Sequence, residues 1–392
     1  MPEPRGRMFF ANPGPTNIPD SVLHACARAS IDFNDNAFFA VYEECVAGVK
    51  RILRTKADVF FYTASGHGAW EASMLNLFSP GDVLLVIETG HFSESWAKMG
   101  KALGLVIETV AADWRRGANI ADVEAALRAD TTHRIKAVCA VQNETAAGTM
   151  LPIPAVRAAM DATAHPALLL ADTISSLGSL PFEMDAWGID VMVGGSQKGL
   201  MLPTGFSFNG VSAKAMEAHQ RATLPRHYFD WSEMLTRRHK SFIGTVPTTL
   251  FYGLQESLRL IEEEGLENVW ARHTRLARAV RAAVNHWAGN GGGVELFCQN
   301  QDRASDSVTT ILLPEGHSAD AVRATCRNQF NVSLGAGLNK LAGKVFRIGH
   351  LGDLNEPMIL GTLASVEMAL KLNNVPHRAG GVAAAMESLT SA

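Results

Sequence analysis

Short aliphatic and β-branched runs alternate along the first half of the chain with longer stretches whose apolar positions recur at helical spacing. The runs are Val59 to Tyr62, Val83 to Ile87, Leu105 to Val110, Ala137 to Val141, Leu168 to Ala171 and Val191 to Val193. A strand covered on both faces needs continuous rather than alternating apolar residues, so the pattern predicts an α/β fold with a mainly parallel central sheet flanked by helices. Tyr42 to Leu53, Ala121 to Leu127 and Trp70 to Phe78 supply crossover helices, the last closed by the Ser79, Pro80, Gly81 turn. After Pro247 a helical stretch through Leu254, Leu258 and Ile261 breaks at Gly265 and resumes from Leu266 to Trp287, which suits a bridge between domains. A Gly-rich turn at Gly289 to Gly293 then leads to strands at Val308 to Leu313 and Val345 to Ile348, with a helix near Ala319 to Gln329. The expected division is an N-terminal arm over 1–20, a large domain over 21–265 and a small C-terminal α+β domain over 266–392, with only the last dozen residues poorly ordered.

Composition narrows the function classes. A chain of 392 residues, 47% of them hydrophobic, can bury a core large enough for two domains. Its formal charge of -4, with no run of five or six like charges, argues against a nucleic-acid groove or a polybasic membrane patch and favours a small substrate. The apolar runs are too short to cross a bilayer and Met1 to Arg7 lacks an apolar signal core, so a cytoplasmic protein is expected. Cys26, Cys45, Cys139, Cys298 and Cys326 are scattered, with no C-x-x-C pair, and read as reduced structural thiols rather than metal ligands. Cys139 sits in a strand-like run, where burial is the default.

Ligands of open α/β sheets lie beyond the carboxyl ends of the strands, so chemistry is sought just after each run. Ser65, Gly66, His67 and Gly68 follow one strand and precede a helix, a loop whose backbone N–H groups suit a phosphate, though an ordinary tight turn has the same look. Asp172 ends the strand Leu168 to Ala171, where a carboxylate either pairs with a protonated ring nitrogen or caps the next helix. Lys198, in Gly195-Ser-Gln-Lys-Gly199 after the Val191 to Val193 strand, is either a solvated loop lysine or a desolvated amine able to form a Schiff base. One crossover unit separates Asp172 from Lys198, so two neighbouring strand ends can grip opposite sides of one ring. Arg347, in the last predicted strand, either forks onto a substrate carboxylate or makes an interdomain ion pair.

Taken together these words resemble the class V aminotransferases, in particular the alanine–glyoxylate and serine–glyoxylate group. The matching stretches are Asn12-Pro-Gly-Pro-Thr-Asn17, Ser65-Gly-His-Gly-Ala-Trp-Glu71, Asn143-Glu-Thr145 with Gly148, Asp172 in Ala-Asp-Thr-Ile-Ser-Ser, Gly195-Ser-Gln-Lys198, Gly244-Thr-Val-Pro247 and Lys344-Val-Phe-Arg-Ile-Gly349, spread over almost the whole chain. The resemblance implies the fold of type I enzymes dependent on pyridoxal 5'-phosphate (PLP), of which aspartate aminotransferase is the model. It implies that Lys198 carries the cofactor, Asp172 pairs with the pyridine nitrogen, and Ser65, Gly66, His67 and Gln197 surround the phosphate. Phe92 would stack on the ring and Thr145 approach the ring oxygen. Thr245 would be lent to the phosphate by the second subunit of a homodimer. Pro13 and Gly14, within Asn12 to Thr16, would line the substrate side, with Arg347 holding the carboxylate and no metal involved.

Two departures bear on the substrate. Relatives place a tyrosine three residues before the shared threonine, where this chain has Phe242, and a His-Arg pair after the first helix, where it has Asp32, Phe33, Asn34 and Asp35. The expected activity is transfer of an amino group from a small L-amino acid, serine favoured and alanine possible, to glyoxylate or a similar oxo acid. Aspartate as donor, its second carboxylate met by Arg226 or His227, and a non-standard amine such as pyridoxamine are the alternatives. A PLP-dependent lyase and a PLP-binding regulatory protein without turnover are the readings from other classes.

Overall fold

The computed structural model describes residues 5–289 and 293–391, so Asn290, Gly291 and Gly292 of the expected Gly-rich turn lie outside the described residues. The strands of the larger part are β2 (Asp58–Tyr62), β3 (Val83–Glu88), β4 (Val106–Ala111), β5 (Ile135–Val141), β8 (Leu168–Asp172), β9 (Val191–Gly195) and β10 (Ser207–Val211), preceded by β1 (Phe9–Ala11) and interrupted by the short hairpin β6 (Asn143–Glu144) and β7 (Thr149–Met150). The seven form one sheet in the order β2-β10-β9-β8-β5-β3-β4. Pairing is parallel except at β10, which runs antiparallel to both β2 and β9. All six apolar runs read from the sequence become strands of this sheet; β10 escaped notice because Ser207, Asn209 and Gly210 interrupt its apolar pattern.

Helices cover both faces. They are α1 (Asp20–Cys26), α2 (Asn36–Leu53), α3 (Gly66–Leu77), α4 (His91–Ala102), α5 (Ile120–Ala129), α6 (Ile153–Ala162), α7 (Ala213–His219), α8 (Trp231–Leu235) and α9 (Thr248–Glu264). One core, including Val49, Ile52, Leu85, Leu169 and Phe251, fills one face of the sheet, and another, including Trp70, Trp96, Leu84, Leu170 and Trp231, fills the other. Local chemistry sets the helix starts: Asp35 accepts a hydrogen bond from Ala37 N at 2.7 Å and caps α2, while Asp32 accepts from Asn34 N at 2.9 Å. The acidic segment that departs from the family pattern is thus spent on an exposed turn and a helix cap.

The second sheet has the order β1-β13-β14-β12-β11, with β11 (Glu295–Leu296), β12 (Val308–Leu312), β13 (Val332–Ala336) and β14 (Val345–Gly349). Strand β1 joins it parallel to β13, so the N-terminal arm is an edge strand here and then runs back toward the larger sheet. Around it pack α10 (Leu266–Ala288), α11 (Ala319–Phe330), α12 (Glu356–Leu372) and α13 (Gly381–Thr390). Helix α10 spans the two parts: Val269 belongs to the core of the larger and Leu276 to Trp287 to that of the smaller. The chain end corrects an expectation, since residues read as poorly ordered form α13, with Ala385 buried in the smaller core and Trp287 packed close to Gly381. Its run of alanines offered too little apolar contrast to show a helical face.

Two histidines are sealed in this region. His273 accepts a hydrogen bond from Gly352 N at 3.0 Å and His350 pairs with Thr309 Oγ1 at 2.9 Å. Burial first, then neighbouring arginines, holds His273 down to about 4 and His350 down to about 3. The unfolded chain takes up these protons near pH 6.5, so it binds more protons than the native state between pH 6.5 and 4. Stability is therefore full above about pH 6.5 and falls as pH drops through that window, by about 3 kcal/mol for His273. Denaturation midpoints measured from pH 7 to 4.5 should fall, and the fall should be visibly shallower in His273→Asn; an equal slope in the variant would refute the assignment.

Candidate active site

A cavity of about 240 Å³ opens at the carboxyl ends of the large sheet. It is lined by Gly14 and Pro15 from the arm, Ser65, Gly66, His67 and Trp70 from the start of α3, Phe92 from α4, and Asn143, Thr145, Asp172, Gln197 and Lys198 from the ends of β5, β8 and β9. The parallel register of β8 and β9 sets Asp172 opposite Val193, so their following loops lie side by side. That adjacency, expected from one crossover unit, brings the carboxylate and the amine into one cavity.

Asp172 is 5% exposed and uses both oxygens: Oδ1 accepts from Ile174 N at 2.7 Å and Oδ2 from the Trp70 indole Nε1–H at 2.9 Å. The local turn bond is the cap-like alternative weighed above; the indole bond, reaching across 102 residues, is not. Burial pushes the carboxyl up to about 6, while the two hydrogen bonds and Lys198 pull it down. A buried carboxylate of this kind gains from a cationic partner such as a protonated pyridine. Lys198 Nζ donates to the Pro13 carbonyl, and burial together with the Arg347 charge holds the amine down to about 8, opposed by Asp172. An amine held there is deprotonated in a useful fraction at neutral pH, the condition for a Schiff base. Thr16 fixes the lysine loop through N–H to Gln197 O at 3.1 Å and Oγ1 to Lys198 O at 3.0 Å. Gly14, at φ +129, is where the arm passes so close to the Lys198 side chain that a Cβ would overlap it.

The expected phosphate loop is the first turn of α3 itself, since the helix begins at Gly66 and not near Trp70. Ser65 makes no capping bond there. Helix N-termini leave N–H donors free for an anion, and among the described residues the buried acceptors Gln197 Oε1 and Asn143 Oδ1 also lack partners, so they suit donor groups and not a phosphate oxygen. The free amides of this turn, beside a buried carboxylate and a depressed amine, fit a phosphate-bearing pyridine aldehyde.

Three expected residues are not on the cavity wall. Pro13 is buried and touches Lys198 only through its carbonyl. Arg347 is 7% exposed and stands behind Thr145, donating Nη1 to Thr145 O at 2.9 Å and Nε to Ala336 O at 2.7 Å; among the described residues its Nη2 has no partner. It makes no ion pair, so the interdomain salt bridge weighed above is not formed among the described residues. Thr245 is exposed and outside this cavity. Phe242 is buried in its own chain's aromatic cluster, 6.2 Å from Phe206 and 5.8 Å from Phe251. Arg226, suggested for a second carboxylate, is spent on the carbonyls of Leu75, Ala222 and Leu224 and on Asp230, and His227 is exposed outside the cavity. Sequence reading missed Trp70, Glu144, Asn143 and Ser175. All four lie within the stretches matched to the family, but nothing in one sequence tells which indole reaches a carboxylate.

All five cysteines are free and none lines the cavity. Burial pushes Cys139, inside β5, far above the usual thiol range. Among the described residues no cluster of three or more potential metal ligands exists, and no helix is long and apolar enough to cross a membrane.

A lysine and an aspartate on adjacent strand ends, facing a helix N-terminus across a cavity, define a PLP-dependent enzyme of fold type I. Residues 8–347 match the family model for class-V aminotransferases, and the chain belongs to that family. It is an aminotransferase whose cofactor is pyridoxal 5'-phosphate. It is 43% identical to a serine–glyoxylate aminotransferase of Methylorubrum extorquens, covering 98% of this chain and 96% of that one. It is also 43% identical to an L-aspartate–glyoxylate aminotransferase of Paracoccus denitrificans, covering 96% and 94%. Among solved structures, pyridoxamine–pyruvate aminotransferase from Mesorhizobium loti superposes with a TM-score of 0.89 at 26% identity, covering 99% of this chain and 98% of that one.

Proposed function

We propose that this enzyme moves the amino group of a small L-amino acid, serine foremost, to glyoxylate. The observation that carries the reading is the charge inventory of the cavity: among the described residues of this chain Lys198 is the one Lys or Arg on its wall, with Arg347 directly behind Thr145, which matches a single α-carboxylate better than a dicarboxylate donor. The bound cofactor supplies an aldehyde that joins amines and a ring that accepts the electron pair released at the substrate α-carbon. Lys198 Nζ would hold the cofactor and, with its amine held near neutrality, would serve as the base that takes the substrate α-proton. The Asp172 carboxylate, oriented by the Trp70 indole, would keep a proton on the ring nitrogen. Ser65, Gly66, His67 and Gln197, all on the cavity wall, would hold the phosphate, with Phe92 and Thr145 on the same wall to hold the ring. Arg347 would take the carboxylate through Nη2, its Nε and Nη1 being held by the carbonyls of Ala336 and Thr145, while Pro13 and Gly14 would close the substrate side and exclude water.

The same reading divides the chain into arm, large and small domains at about residues 20 and 265, and places the enzyme in the cytoplasm, in keeping with its five free thiols. It also makes the enzyme a homodimer. Thr245 lies exposed outside its own cavity, so it can serve a phosphate only in a second copy. Thr245→Ala is expected to weaken PLP affinity roughly tenfold, the worth of one hydrogen bond to a charged group, without changing the sedimentation of the dimer. A monomer in sedimentation, or unchanged PLP affinity in the variant, would remove this part of the assignment.

The donor is tested on the visible spectrum of the holoenzyme with single amines and no oxo acid. Serine should convert the lysine-bound band to the pyridoxamine form and glyoxylate should restore it. Conversion by aspartate or pyridoxamine but not serine would shift the assignment to that donor, and release of pyruvate without an acceptor would make the enzyme a lyase.

A further inference from the structure

We propose that Glu144 is a positioning residue that locks the ring-stacking Phe92 to the carboxylate-binding Arg347 across the cavity, an inference that rests on the function proposed above. Glu144 has no solvent exposure, and its two carboxylate oxygens serve two different loops. Oε2 accepts from the first-turn amides of α4, Phe92 N at 3.0 Å and Ser93 N at 3.3 Å. Oε1 accepts from Ala146 N at 3.1 Å. The residue between these two ends, Thr145, lines the cavity and receives Arg347 Nη1 on its carbonyl, while Ala146 O accepts from Thr310 Oγ1 at 3.2 Å, and Thr310 pairs with Arg347 across β12 and β14. One side chain therefore joins the helix that presents the aromatic ring to the turn that holds the guanidinium.

A plain helix cap would use one oxygen and leave the other to solvent. Here three donors converge on two buried oxygens, which a carboxylate satisfies and an amide cannot, because the NH2 of glutamine would face an N–H group. Gly90 belongs to the same device: a Cβ there would lie 2.9 Å from Glu144 Oε2 and closer still to its carbons, so glycine is what lets the carboxylate reach the α4 amides. The Glu144 charge also favours the protonated form of Arg347, and burial pushes Glu144 itself up to about 7.

The test compares wild type with Glu144→Gln, Gly90→Ala and Phe92→Leu as PLP-loaded enzymes. One readout is the affinity for glycolate, a carboxylate that cannot transaminate; the other is the circular dichroism of the bound cofactor. Glu144→Gln and Gly90→Ala should each weaken glycolate roughly tenfold or more and alter the dichroic band, whereas Phe92→Leu should alter the band alone. Gly90→Ala keeps the question open to measurement if the glutamine variant fails to fold, since it disturbs the contact without touching the charge. Variants that lose thermal stability but keep both readouts, or change only one of them, overturn the proposal. Absence of a cofactor band in the wild type would instead overturn the function on which it rests.

Discussion

Lys198→Ala should lower the rate of complete transamination by about four orders of magnitude or more, because one substitution removes both the covalent anchor and the group that carries the α-proton. The protein should stay folded. Its amine sits in a cavity where burial and Arg347 already oppose its charge, and among the described residues its one hydrogen bond is to the Pro13 carbonyl. The lysine-bound absorption band should be missing even with excess PLP, while a melting temperature within a few degrees of wild type would show that chemistry and not folding was lost. Multiple turnovers at the wild-type rate would mean that the Schiff base forms elsewhere.

Asp172→Asn should reduce kcat by roughly 10²–10³ while leaving the cofactor attached, since Lys198 is intact and what is lost is electrostatic stabilisation at the ring nitrogen. Two losses combine. The ring proton no longer faces a negative charge, and the geometry around the side chain becomes inconsistent. Ile174 N and Trp70 Nε1 both donate to Asp172, so whichever way the amide is turned its NH2 opposes one of them, leaving a buried donor unpaired at about 1–3 kcal/mol. Trp70→Phe separates the two terms, for it removes the indole donor and keeps the charge; its kcat should fall much less than that of Asp172→Asn. Equal losses would show that orientation, not charge, is what the aspartate contributes.

The acid lability expected of His273 and His350 and the cofactor loss expected of Thr245→Ala test different layers of the same molecule. The first concerns groups that burial keeps neutral behind the cavity wall, where His350 N and the Asn143 side chain both donate to Ser307, the second a residue whose task requires another copy of the chain. Neither should alter the proton transfer assigned to Lys198, so both can be read apart from the Lys198 and Asp172 variants, which share one cavity and couple.

Some of this was decided by the sequence alone. Apolar runs without alternation such as Val83 to Ile87 and Leu168 to Ala171 call for strands buried on both faces, though Leu105 to Val110 forms the largely exposed edge strand β4, and the spacing of Asp172 and Lys198 by one crossover puts them on adjacent strand ends, because parallel neighbours need such a connection. The family words added Phe92, Thr145 and Gln197 by position, and the structure puts all three on the cavity wall. What sequence could not decide depends on contacts between distant segments. That the Trp70 indole closes on Asp172, that β1 leaves the arm to pair with β13, that Arg226 is spent on backbone carbonyls, and that both oxygens of Glu144 are claimed by separate loops all follow from packing. Apolar periodicity shows which face of an element is buried but not against what, and a polar side chain's partner is chosen only once the folded chain has excluded water from around it.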